Sequence, residues 1–83
     1  MNAVQIISTA RDQLSALTGL RADTVSRVGR EGEGWVVEIV MIEVHRIPST
    51  NDILASYHVN LNANGDIVSY LRIHRYKRNE VRG

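Results

Sequence analysis

The sequence predicts an α+β domain, with an N-terminal helix packed on one face of a four-stranded antiparallel β-meander. Three observations carry that prediction. Residues 3–18 repeat apolar side chains at helical spacing and stop at Gly19. Gly34–Leu61 holds two strand-like runs joined by a short polar turn. Asn64-Gly65 then punctuates the chain ahead of a fourth run of period two. A helix followed by strands on short connections folds most simply as a meander with the helix laid across it.

In the helix, Val4, Ile7, Leu14 and Leu17 follow the three-to-four spacing, with Ile6, Ala10 and Gln13 beside them. Gln5, Ser8, Arg11, Asp12 and Ser15 fall mostly on the other side, so the segment is amphipathic. Asn2 is placed to cap the first turn, because its side-chain oxygen can accept an otherwise unpaired amide proton. Gly19 followed by Leu20 has the pattern of a helix C-terminal motif. One basic residue before Gly19 is too few for a membrane-surface helix.

Residues 24–30 read as a first strand. Val25 and Val28 have opposite parity, so either one of them is exposed or a bulge intervenes near Gly29. Glu31 to Gly34 form a hairpin loop; its two glycines are not a phosphate loop, since no helix follows to present its N-terminus. From Gly34 to Val44 the chain is dominated by β-branched residues on both parities, as expected of a strand inside a sheet. Pro48 ends that run, and Ser49, Thr50, Asn51 and Asp52 make the turn. From Ile53 to Leu61 apolar and polar residues alternate cleanly. The last strand runs from about Ile67 to Tyr76, and residues 78–83 form a charged tail expected to fray. The 83 residues thus make one domain, with the helix inside 1–20 and the sheet inside 24–77.

A chain this short buries only about 60% of its unfolded surface. With no cysteine, disulfides and thiolate metal sites are excluded. His45, His58 and His74 are too scattered for a metal set, and no cofactor is expected. Self-association or docking on a partner is the remaining support for a thin core. A net charge of +1 predicts no strong pull toward nucleic acid or membrane. No apolar run reaches the roughly 18–20 residues of a membrane span, and the N-terminus lacks the features of a signal peptide. A soluble cytoplasmic protein is the expectation.

The helix can cover only one face of the sheet. The other is expected to carry Val36, Val40, Ile42, Val44, Tyr70 and Tyr76, an apolar set that suits an interface or a homodimer. Glu38 and Glu43 lie on opposite parities, so they cannot act as a carboxylate pair, and no activated nucleophile stands near a histidine. Catalysis is therefore not expected. Tyr70, Arg72, His74, Arg75 and Tyr76 interleave rings and cations, which makes a small nucleic-acid-binding or regulatory module the alternative reading. Neighbouring acids would turn the same residues into ordinary cross-strand pairs. Arg46, Pro48, Asp52 and Tyr57 flank the central turn; Arg46 and Asp52 are expected to pair across it, with Arg75 within reach. Tyrosine and arginine are the usual anchors of protein interfaces. Trp35, at the start of the central strand, is either core or contact.

These residues stand in an ordered series: Gly34-Trp35, then Arg46-Ile47-Pro48, then Asp52 ahead of Leu54-Ala55 and Tyr57, then Arg75-Tyr76 and Arg78. The series, from about Thr18 to Arg78, resembles the gas vesicle protein O family. The resemblance implies a non-enzymatic accessory factor for gas vesicles, the gas-filled protein shells that give microbes buoyancy. It implies contacts with other gas vesicle proteins and a cytoplasmic, vesicle-associated location. The candidate partner-binding residues are then Trp35, Arg46, Pro48, Asp52, Tyr57, Tyr70, Arg72, Arg75 and Tyr76.

Overall fold

The computed structural model describes residues 1–80. Its elements are α1 (Ala3–Thr18), β1 (Arg21–Glu31), β2 (Gly34–Val44), a single 3-10 turn (Ser49–Asn51), β3 (Ile53–Leu61) and β4 (Ile67–Lys77). The strands lie in the order β1-β2-β3-β4 with every pair antiparallel, which is the expected meander.

The helix is fixed at both ends by local chemistry. Asn2 Oδ1 accepts from the Gln5 amide at 2.9 Å, and Gln5 Oε1 accepts from the Asn2 amide at 2.9 Å. This reciprocal capping box satisfies two of the amides that a helix start leaves unpaired. Gly19 closes the other end at φ 72°, its amide donating to the Ser15 carbonyl. The buried stripe is Ile6, Ala10 and Leu14, with Ile7 half-buried. Val4 and Leu17, expected in that stripe, are 76% and 56% exposed. Val4 lies two residues before Ile6, which turns it nearly to the opposite side of the helix. Leu17 sits in the last turn, next to the chain reversal at Gly19.

The core forms between this stripe and the inward side chains of the central strands: Trp35, Val37, Ile39 and Met41 of β2, and Ala55, Tyr57, Val59 and Leu61 of β3. Gln13 pins the helix to the sheet at a second point. Its Nε2 donates to the Gly65 carbonyl at 2.6 Å, and its Oε1 accepts from the Ile67 amide at 2.9 Å. Gly65 holds φ 84° in the β3–β4 turn, a conformation that side chains with a Cβ rarely adopt. Asn62 braces that turn by accepting from the amides of Asn64 and Asp66.

The strand β1 begins at Arg21, three residues earlier than its apolar content predicts. An edge strand has neighbours on one side only, so polar residues cost it little. Its irregularities fall between Ala22 and Thr24 and between Val25 and Arg27, not at Gly29. They reconcile the two valines: Val25 and Val28 both pack on the core despite their opposite parity.

Two irregularities also break the β3–β4 register, between Ser56 and Tyr57 and between Asn60 and Leu61. They move Tyr70. It stands opposite Val59, on the helix side of the sheet, and not on the uncovered side as simple alternation predicts. Tyr76 remains on the uncovered side, opposite Leu54. That side is mixed rather than greasy. Val40 and Leu54 are already buried there, while Arg27 and Glu38 form a cross-strand pair at 4.0 Å.

The tail expected to fray from residue 78 is held at its first residue. The Arg78 amide donates to the Asp52 carbonyl at 2.9 Å. Val81, Arg82 and Gly83 lie outside the described residues.

Candidate functional site

The candidate residues gather at one end of the sheet, where β2 stops, β3 starts and β4 finishes. At its centre is Glu43, an acid in an otherwise apolar strand. Its Oε1 accepts from Arg75 Nε at 2.8 Å and its Oε2 from Arg72 Nη1 at 3.0 Å. The Tyr57 hydroxyl donates to Oε2 at 3.4 Å. The register explains the convergence, since Arg72 stands opposite Tyr57 and Arg75 opposite Ala55, both on the helix side of β3. α1 packs on β1, β2 and the start of β4, and leaves this corner open.

Glu43 is 14% exposed, whereas Arg72 and Arg75 are 53% and 57% exposed. Burial acts to raise the Glu43 pKa, but the two guanidinium groups outweigh it and hold the carboxyl below its ordinary range. Burial pushes the Tyr57 hydroxyl up, and the Glu43 charge adds to that. Tyr70 closes the corner, its ring centroid 6.3 Å from that of Tyr57 at an angle of 47°. A carboxylate thus orders two arginines beside two tyrosines. Two cations share one anion, so the corner carries net positive charge.

A second cluster anchors the β2–β3 loop, which contains a cis peptide bond before Pro48. Asp52 is 1% exposed. Its Oδ1 accepts from the Arg46 amide at 2.8 Å and lies 3.2 Å from His45 Nδ1; its Oδ2 accepts from Arg78 Nη2 at 3.2 Å. The Arg46 amide bond is the chief reason its pKa lies below normal; burial acts the other way, and Arg78 and His45 reinforce the lowering. Arg78 also reaches Asp23 of β1 at 2.8 Å and so ties the two edge strands together. Asp52 therefore pairs as expected across the turn, but with the Arg46 backbone, and the guanidinium beside it is that of Arg78. Arg75 belongs to Glu43. Pro48 and the Arg46 side chain lie on the exposed loop.

Two predicted residues stand apart. Trp35 lies at the far end of β2, 9% exposed within the core, with the Arg30 guanidinium 4.7 Å from its ring centroid. Tyr76 lies on the opposite side of the sheet. Sequence reading placed Glu43 among the acids near the Tyr/Arg strand and expected Glu–Arg cross-strand pairs, as found, but missed Arg78 and Asp23 as partners of this region. The signal at Glu43 was its place, an acid two residues beyond Met41 on the inward parity. Among the described residues no cluster of His, Asp and Glu has the arrangement of a metal site, and no helix is long and apolar enough to cross a membrane.

The profile of the family described as "Gas vesicle synthesis protein GvpO" matches residues 1–82. The chain belongs to this gas vesicle synthesis family. Among its relatives, "Gas vesicle protein O" of Streptomyces sp. (strain CB03234) is 39% identical over 75 residues, covering 90% of this chain and 59% of the relative. "Gas vesicle protein O" of Haloferax mediterranei is 31% identical over 51 residues, covering 61% of this chain and 36% of the relative. "Gas vesicle protein O1" of Halobacterium salinarum is 26% identical over 73 residues, 88% of this chain and 61% of the relative. The chain thus spans between about a third and three-fifths of the relatives' lengths. No solved structure shows a significant match.

Proposed function

We propose that this gas vesicle O-family domain is a non-enzymatic accessory factor in gas vesicle synthesis that works in the cytoplasm by contacting other gas vesicle proteins. The observation that carries the reading, beside family membership, is the corner built from Glu43, Arg72, Arg75, Tyr57 and Tyr70. It is a preorganised set of arginines and tyrosines, the residue types that dominate binding hot spots, beside a helix that leaves it open. Holding two long arginine side chains in place before binding lowers the entropy that a partner must overcome. Arg46 and Pro48, on the loop anchored by Asp52, extend this surface. Trp35 and Tyr76 serve the fold first.

The alternative of a nucleic-acid platform draws less support. Its two rings, Tyr70 and Tyr76, lie on opposite sides of the sheet and so form no single stacking surface. A homodimer through the uncovered sheet side is likewise weakened by the Arg27–Glu38 pair and by the burial that Val40 and Leu54 already have. The test is deletion of the coding region in a vesicle-forming cell. Lost or deformed vesicles support the proposal, and normal flotation contradicts it.

A further inference from the structure

The strand β4 is an outer edge of the sheet, and no described element pairs with its free side. It is 11 residues long. An edge of this length presents a row of backbone amides and carbonyls that can accept another strand. Proteins blunt such edges with proline, with covering segments or with short strands. β4 contains no proline and stays exposed along most of its length; its guards are its basic side chains and two register irregularities, which oppose pairing with a like-charged strand and leave an oppositely charged one free to add. Its apolar side chains are also unusually bare: Leu71 is 68% exposed and Val68 64%, with Tyr70 and Ile73 beside them. The opposite edge, β1, shows no large exposed apolar side chain.

Charge decides what can pair there. From Ile67 to Lys77 the strand carries Arg72, His74, Arg75 and Lys77 and no acid. Glu43 supplies a single negative charge to two of these cations. A second copy laid along β4 would set cation against cation, which destabilises a strand pair. An extended segment with acidic side chains would meet the opposite charges instead. We propose that β4 accepts an extended, acidic segment with apolar residues at alternate positions, contributed by a partner protein as a fifth strand. The idea rests on the accessory reading above and names the chemistry of the contact. In this mode backbone hydrogen bonds hold the segment, while Leu71, Ile73 and the cations select its sequence.

The test uses the full chain and a synthetic twelve-residue peptide of alternating valine and glutamate. A valine–lysine peptide and a valine–glutamate peptide with a central proline serve as controls. Binding is read by fluorescence anisotropy, and docking by hydrogen exchange of the β4 amides. The acidic peptide is expected to bind at least about tenfold more tightly than the basic one and to slow exchange along β4. The proline peptide is expected to do neither. Equal binding of both charges, or no slowing along β4, overturns the proposal, as does a micromolar dimer that Leu71→Lys dissolves. In cells, Leu71→Glu with Ile73→Glu, which removes the apolar contacts and repels an acidic segment, is expected to abolish flotation while the purified variant stays folded. If deletion of the gene stops vesicle formation but this double variant floats normally, the edge proposal fails and the accessory role stands. If the peptide docks on β4 but the deletion strain floats normally, the edge proposal stands and the accessory role fails.

Discussion

Replacing Glu43 with glutamine tests how the corner is built. The substitution keeps the side chain's shape and one acceptor oxygen, and it removes the charge that faces Arg72 and Arg75 at 3.0 and 2.8 Å. Both arginines are more than half exposed, so water takes over much of their solvation once the anion is gone. Each pair then falls in the range of surface ion pairs, about 0.2–1 kcal/mol. Because Glu43 itself is largely buried, we place the total near the upper end, at about 1–2 kcal/mol. For a domain of this size that lowers the melting temperature by about 5–15 °C at neutral pH. The pH dependence has a definite sign. The folded-state pKa lies below the ordinary value of 4.5, so the stabilisation is complete above 4.5 and is lost as pH falls through the folded value. Urea unfolding of both proteins from about pH 7 to pH 2.5 should show a gap that closes on acidification. Equal stability at pH 7, or a gap that persists at the acid end, refutes the account of Glu43.

Three further outcomes follow from the geometry. Gln13→Ala removes the bonds to the Gly65 carbonyl and the Ile67 amide and should cost about 1–3 kcal/mol, with faster hydrogen exchange at Ile67; unchanged exchange there contradicts the pinning role. Asp52→Ala should free the Arg46 amide to exchange, whereas Asp52→Asn, which keeps an acceptor, should protect it; since the Asp52 pKa is depressed from 3.8, the wild-type contribution is present above that value and fades as pH falls through the lower folded one, a limb both variants lack. The Tyr57 pKa is raised above 10, so the stability gained by keeping it neutral is whole below pH 10 and is lost as pH rises through the folded value; Tyr57→Phe should flatten that alkaline limb in unfolding measurements, and an unchanged limb assigns it to another group.

Elements governed by local chemistry were legible in the sequence. Asn2 acts through its side chain on an amide three residues away, Gly19 and the Asn64-Gly65 turn act through their own backbones, and the helix limits they imply are those observed. The central strand declared itself through its β-branched run. What could not be read was register. A bulge changes the face of every residue beyond it, and nothing in the β4 sequence marks the irregularities that carry Tyr70 to the helix side. Helix contacts were similarly misjudged, since Val4, Ile7 and Leu17 are as apolar as Ile6 and Leu14 and only packing tells them apart. Long-range ion pairs were the hardest. Glu43 and Arg75 are 32 positions apart, and Arg78 and Asp23 are 55. The sequence offered several acids for each arginine, and the folded chain chose among them.

The most direct test of the central claim is binding between this purified domain and the other gas vesicle proteins of the same cell, compared with a variant carrying Arg72→Glu and Arg75→Glu. The account predicts that the intact domain binds at least one of them and that the reversed variant, shown to be folded by circular dichroism, binds at least about tenfold more weakly. Binding left untouched by the double reversal would contradict it.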